Sequence, residues 1–422
     1  MTPVNADYHA LLARHDAMRL RQRLLSPGPQ QEGAGPAYEA DLFHDGEADQ
    51  RVIVRHLDLV MPLDTLITHL YDAMFAQRPF LRSLFPHSME FQRRHLEAIL
   101  RYLIENLHQP DEVRSVFGRL GREHRKLGVR PAHFATFEAA LREALRRTAG
   151  VRWNEPMEEA WLRMLRFAVT AMVEGADAAL AEPPSWQATV VAHELRREDL
   201  AVLRVRPHEP YPYRAGQYAS MASPVLPQAW RQYSLARAPR PDGELEFHVR
   251  LTGAGGVSEA LVLRTRVGDT LRLGPAGGTM TLDDDVTRDL LLVAGDVGWA
   301  AAKALLEELT SRRKAGRRVH LYLGARVASG LYGEESPEEL ERRRPWLRVV
   351  PVIGEGPATD PYRPLAEAVA LRGDWSGHLA FVSGPPAMVR ATVASLADAR
   401  LSAEHIRHDP LPYGGDRVPV MH

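Results

Sequence analysis

The hydrophobic period of this 422-residue chain changes twice, and each change narrows what it can fold into. From about residue 51 to residue 180, apolar side chains recur at i, i+3 and i+4. In residues 91–107 they place Leu96, Ile99, Leu100, Leu103 and Ile104 on one helical stripe. Prolines at 62, 79, 86, 110, 131 and 156 cut this region into six or seven helices, with Asn154 standing where an N-cap belongs. Beyond Pro183 and Pro184 the period drops toward two. Residues 188–196, 200–207, 244–251 and 269–275 alternate or are β-branched between Pro and Gly, as in a small antiparallel barrel. After Asp283 strand-like runs at 289–295, 320–325, 347–354 and 379–384 alternate with helical runs at 299–313, 336–345 and 387–399. That alternation calls for a doubly wound parallel sheet.

The expected organisation is therefore multidomain: residues 1–50 an N-terminal extension and linker, 51–182 an all-α domain, 185–284 an antiparallel β-barrel, and 286–414 an α/β domain. Within the extension, residues 8–25 can form a short helix, whereas residues 26–36 are too rich in Pro, Gly and Gln to bury a core. The formal net charge is −1 with both signs well mixed, which argues against a nucleic acid or an anionic membrane as partner. There is no cysteine. Disulfides, thiolate-ligated haem, zinc-thiolate sites and iron–sulfur clusters are thereby excluded, so any redox centre has to be a bound cofactor. No run approaches eighteen apolar residues, and no basic stretch followed by an apolar one opens the chain. The expectation is a cytoplasmic protein, a monomer or weak dimer.

In the helical region Tyr71 lies on an early helix and Phe85 at a corner; Gln92 and Leu96 share the next helix, and His124 precedes a stop at Gly128. Singly, such residues are unpersuasive, since a helical His is more often a surface group and Tyr and Phe are ordinary core. In this order they resemble the globin domain of bacterial flavohaemoglobins. The resemblance implies haem b, with His124 as the iron ligand and with Tyr71 and Gln92 hydrogen-bonding the bound oxygen. Phe85 would wedge the haem and Leu96 would line a dry pocket. Members support the proximal His with a Tyr and a Glu. Here Phe134 stands in the Tyr position, while Glu174 and Asp177 lie near the Glu position. A less basic His124 and a higher haem potential than in other members would follow.

The barrel region carries Arg214 and Tyr218, then Arg231, Gln232, Tyr233 and Ser234, then Gly255, Gly256, Val257 and Ser258. An Arg ahead of a Tyr-Ser pair can meet a pyrophosphate while the ring packs on an isoalloxazine. Two glycines before a helix let the backbone approach phosphate. Together these look like the flavin-binding barrel of the ferredoxin-NADP reductase family, which implies FAD held by these residues. The same resemblance makes residues 294–303 the nicotinamide turn. Gly295, Val297 and Gly298 fit it, but Asp296 replaces a Gly and Ala301 a Pro. An acid beside an incoming pyrophosphate costs affinity unless it points away. The later motif is Ser383, Gly384, Pro385 before Met388, and Leu411 stands where an aromatic often shields the flavin.

Such proteins pass electrons from NAD(P)H through FAD to haem and convert nitric oxide, with dioxygen, to nitrate. Carried to this chain, the resemblance implies an NAD(P)H-dependent nitric oxide dioxygenase. Two other readings stand beside it. One is a haem-flavin oxygen or redox binding protein with a degenerate nicotinamide site. The other is a flavin reductase with a haemless helical module.

Overall fold

Polar residues 46–50, assigned from composition to a linker, are the first turn of a helix. The computed structural model describes residues 46–129, 131–283, 287–312, 317–354, 363–371 and 374–409. The expected helix at 8–25, the Pro/Gly-rich stretch and Leu411 lie outside them. Helix α1 (Gly46–Arg55) thus starts ahead of the boundary expected at residue 51. Its polar side chains serve tertiary bonds instead of a core: Asp49 accepts two hydrogen bonds from Arg163 at 2.7 and 3.0 Å, and Gln50 donates to the Ile104 carbonyl at 2.7 Å. That use is invisible to hydrophobic period.

Helices α2 (Leu63–Gln77), α3 (Glu90–Asn106), α4 (Pro110–His124), α5 (Pro131–Ala149) and α6 (Glu155–Ala178) follow. Their starts obey local rules. Proline occupies the first turn of α4 and α6, and the Asn154 side chain caps α6 by accepting from the Met157 amide at 3.2 Å. Ile53, Leu66, Leu70, Leu103, Leu141 and Trp161 form the dry centre of this domain. Helices α4 and α6 meet backbone to backbone. A Cβ on Gly175 would stand 2.0 Å from the Gly118 carbonyl oxygen, and one on Gly121 would stand 1.9 Å from that of Met172.

Strands β1 (Trp186–Arg197), β2 (Leu200–Pro207), β3 (Tyr218–Ala222), β4 (Arg231–Ser234), β5 (Leu245–Arg250) and β6 (Thr270–Gly277) form an antiparallel sheet in the order β4-β3-β6-β1-β2-β5. A bridge between Leu235 and Phe247, with the Ala236 amide donating to the Glu246 carbonyl at 2.8 Å, closes the two ends into a barrel. Val190, Leu203, Met221, Phe247 and Leu271 fill it. The short α7 (Val257–Glu259) runs on into a π turn.

The last domain alternates β7 (Asp289–Gly295), α8 (Trp299–Arg312), β8 (Val319–Ala325), α9 (Pro337–Arg343), β9 (Leu347–Ile353), α10 (Arg363–Leu371), β10 (His378–Ser383), α11 (Pro386–Asp398) and β11 (Ile406–Arg407). All its strands are parallel, in the order β11-β10-β7-β8-β9. The chain moves outward from β7 through β8 to β9, then returns to the other side of β7 as β10. This reversal opens a crevice at the carboxyl ends of β7 and β10, where α/β sheets bind ligands.

Two seams join the domains. Alternate residues of β5 reach the α/β domain. Glu246 pairs with Lys303 of α8 at 3.0 Å, the His248 Nδ1 meets the Tyr332 hydroxyl at 2.9 Å, and Arg250 pairs with Asp296. On the helical side the buried Lys126 pairs with Glu123, donates to the Ser220 hydroxyl at 2.9 Å, and lies 5.4 Å from the Trp230 ring centre. Among the described residues no helix is long and apolar enough to cross a membrane.

Candidate functional site

The helical centre is built around His124, the last residue of α4. Its Nδ1 lies 2.8 Å from the carbonyl oxygen of Leu120, one turn back. A carbonyl can only accept, so Nδ1 carries the proton and Nε2 keeps its lone pair. Burial holds the ring's pKa below the ordinary histidine value, which keeps it neutral. A neutral imidazole with Nε2 available is the state an iron ligand requires.

Tyr71 projects from α2 into the same apolar cluster that holds Phe117 and Leu120 of α4. Its ring meets Phe85 edge-on at 5.6 Å and Phe75 at 5.8 Å. Burial pushes the Tyr71 phenol well above its usual pKa, so it remains a hydrogen-bond donor. Gln92 is in the first turn of α3, and its Oε1 is buried without a hydrogen-bond partner among the described residues. A buried polar atom left unpaired is costly unless a ligand satisfies it. Leu96, one turn further, packs on the apolar cluster with Phe85 and Phe134. These side chains fit a haem: one neutral nitrogen ligand, an apolar lining that holds Tyr71, and a buried amide oxygen with no partner among the described residues.

Glu174 and Asp177 do not supply the acid expected behind His124, because both are exposed on α6. Phe134, half-buried on α5, has no hydroxyl to offer. The Nδ1 proton faces a neutral backbone carbonyl, which raises ligand basicity less than a carboxylate would.

In the barrel, β3 and β4 pair Tyr218 with Ser234 and Ala219 with Tyr233, setting the flavin-type residues side by side. Burial raises the pKa of both tyrosines. Glycines 277 and 278 flank the Tyr218 ring so closely that a Cβ on either would come within 3.1 Å of it. The Arg231 guanidinium lies 4.7 Å from the centre of the Phe91 ring, on the residue beside Gln92, and donates to the Trp230 carbonyl at 2.8 Å. Ser258 is buried, and its hydroxyl engages Thr252, accepting from the Thr252 amide at 3.2 Å and lying 3.0 Å from its Oγ1. This ties Gly256 and Val257 into a closed loop, with Gly255 at φ +73°. Tyr218 and Ser234, opposite each other on β3 and β4, together with the glycine-lined loop fit a flavin nucleotide.

At the crevice, Gly295 and Gly298 press against the Ser383, Gly384 and Pro385 turn. A Cβ on Gly298 would be 2.2 Å from the Ser383 carbonyl oxygen, and one on Gly295 would be 2.4 Å from the Met388 sulfur. Both turns therefore need glycine to meet. Ala301, replacing the expected proline, is buried in α8. Asp296 takes φ +55°, the conformation its glycine counterpart would adopt freely, and its carboxylate turns to Arg250 of the barrel. The acid feared beside the nucleotide turn is thus already neutralised. Spacing could not reveal that, because Arg250 belongs to another domain.

Comparison with known proteins accounts for both halves. The globin family profile matches residues 68–172, and the profile described as the oxidoreductase FAD-binding domain matches residues 187–281. A flavohemoprotein of Bordetella pertussis is 28% identical over 306 residues, covering 68% of this chain and 76% of its own. A solved flavohemoglobin from Malassezia yamatoensis shares the fold across 85% of this chain and 97% of its own, with a TM-score of 0.69 at 19% identity. The chain is built as a flavohaemoglobin, a globin domain followed by an FAD-binding reductase module.

Haem b, FAD and a nicotinamide dinucleotide are the cofactors of this pairing of domains. The reductase half of this flavohaemoglobin is 33% identical over 232 residues to the ferredoxin–NAD(P)+ reductase component of a naphthalene 1,2-dioxygenase system from Pseudomonas putida, a match covering 54% of this chain and 69% of that one. The reductase component of phenol 2-monooxygenase from Pseudomonas sp. (strain CF600) is 31% identical over 205 residues, and the match spans 58% of its length. The protein is thus an oxidoreductase by its flavin module. Sequence reasoning missed Lys126 and Arg250, which join the modules, and the glycines of the α4–α6 crossing within the helical domain. The scarcity of lysine, with Lys126 one of only three, was the one signal available for the first.

Proposed function

We propose that this flavohaemoglobin is an NAD(P)H-dependent nitric oxide dioxygenase, taking dioxygen and nitric oxide to nitrate. The observation that carries the reading is the Gln92 Oε1, buried without a partner among the described residues, one turn before Leu96, which packs on the apolar cluster that holds Tyr71. When bound, haem would supply the iron that activates dioxygen, and FAD would divide a hydride into single electrons.

The chain's own residues set the conditions for that chemistry. His124 offers Nε2 to the metal, and the Leu120 carbonyl fixes its tautomer and ring plane. With haem bound, the Tyr71 hydroxyl would donate a hydrogen bond to a gaseous ligand that gains negative charge, and Gln92 would offer its amide. Phe75, Phe85 and Leu96 pack as an apolar lining that would exclude water and so strengthen both polar contacts. Tyr218, Tyr233 and Ser234 seat the flavin, with Ser258 closing the loop around it. Gly295, Gly298, Gly384 and Pro385 line the crevice that takes the nicotinamide. Nitric oxide consumption by the aerobic holoprotein tests the proposal. Nitrate forming in step with nitric oxide loss, only with NADH or NADPH present, is expected; nitrous oxide as product, or no consumption, contradicts it.

A second reading, a haem-flavin redox protein served by another reductant, is favoured by Asp296 in the nicotinamide turn. Its pairing with Arg250 removes much of that argument, since the acid does not stand as an uncompensated charge.

A further inference from the structure

We propose that the Asp296–Arg250 ion pair is a latch on the nicotinamide crevice, with Arg250 a phosphate ligand for the arriving dinucleotide and Asp296 the partner it gives up. The inference rests on reading that crevice as the coenzyme site. Asp296 occupies the turn between β7 and α8, at the switch point of the sheet, where the pyrophosphate of a dinucleotide meets the amides opening a helix. A carboxylate there competes with phosphate for the same positive field.

Its conformation shows that it is held for a reason. At φ +55° an aspartate is strained where glycine is free, and the compensating contact is Arg250. The Asp296 side chain is only 10% exposed and the Arg250 side chain 28%, so the pair is shielded but reachable. Arg250 is the last of the three alternating β5 residues that stitch barrel to sheet. Glu246 and His248, the other two, engage Lys303 and Tyr332 away from the turn. Arg250 also lies 3.3 Å from the Asp199 carboxylate, which is itself bonded by Arg197. Releasing Asp296 therefore leaves Arg250 oriented and still compensated. Arg250 stands immediately before the loop that carries Gly255, Gly256 and Ser258, so one guanidinium borders both nucleotide-binding elements. An arginine fork suits phosphate oxygens as well as it suits a carboxylate.

The test is calorimetric titration of the holoprotein with ADP-ribose, which carries the pyrophosphate and cannot transfer a hydride. Asp296→Gly and Asp296→Asn are each expected to tighten binding about tenfold. Arg250→Ala is expected to weaken it by a similar factor and to abolish the gain when combined with Asp296→Gly. Unchanged or weaker binding in both Asp296 variants overturns the latch, as does a gain that survives Arg250→Ala. If the wild type and all variants fail to bind ADP-ribose while dithionite still bleaches their flavin, the coenzyme reading of the crevice falls and takes the latch with it.

Discussion

In the proposed function Tyr71 is the residue on which the oxygen chemistry leans most directly. Its ring is fixed by Phe75 and Phe85, so replacing it with Phe removes a hydroxyl and little else. Tyr71→Phe should release dioxygen from the ferrous protein roughly tenfold faster or more, the loss of a hydrogen bond of about 1.5 kcal/mol or greater; an unchanged off-rate in flash photolysis removes Tyr71 from the site. A second residue-scale effect belongs to Asp409, whose carboxyl burial raises to about 7 although the Thr279 amide donates to it at 3.1 Å. The folded protein then keeps a proton that the unfolded chain releases above the ordinary aspartate value of 3.8. Its contribution to stability is fully present at acid pH, falls as pH rises through that window and levels off above about 7. Asp409→Asn should flatten the decline of the melting temperature between those limits; a parallel decline in the variant refutes it. The candidates Tyr71, Phe85, Gln92, Leu96 and His124 could be named from their order along the chain, through its resemblance to the globin domain of flavohaemoglobins. Their counterparts across domains could not. Arg250 opposite Asp296 is a tertiary fact that no local period encodes.

Elements place those residues, and the helix that ends in His124 is held by what it lacks. Gly118 and Gly121 on α4, with Gly175 on α6, allow two backbones to touch. Gly121→Ala must push α4 away from Met172 and shift His124 with it. A stability loss of roughly 1–3 kcal/mol from overpacking is expected, together with faster haem loss to an acceptor globin; normal haem retention would show that the crossing does not set the ligand's position. Asn154→Ala, by contrast, should cost about 1 kcal/mol of stability in chemical denaturation and leave haem retention unchanged, because it frays the far end of α6. Most elements could be read from period and punctuation, down to the capping box that Ser336 and Glu339 form at α9. Helix α1 was partly hidden because its opening turn is polar, and α10 because its apolar face, Leu365, Ala366 and Val369, is too short to announce a period.

At the scale of the whole molecule, function depends on three modules keeping register, and lysines sit at both seams. Lys303 links α8 to β5, while Lys126, two residues past His124, enters the barrel between Glu123, Ser220 and Trp230. Burying that ammonium is tolerable only because it is paired and hydrogen-bonded. Lys126→Met keeps the length of the side chain and removes the bond to Ser220. It should slow flavin-to-haem electron transfer severalfold in stopped-flow records while leaving flavin reduction by NAD(P)H unchanged; equal slowing of both steps would mean general damage instead. The central claim is that electrons run from nicotinamide through the barrel to the globin. Its most direct test is an anaerobic titration of the holoprotein with NADH and with NADPH, following flavin and haem bands in one spectrum. Bleaching of the flavin followed by appearance of ferrous haem is the expected result. Bands that stay still under both coenzymes, yet move with dithionite, would contradict it.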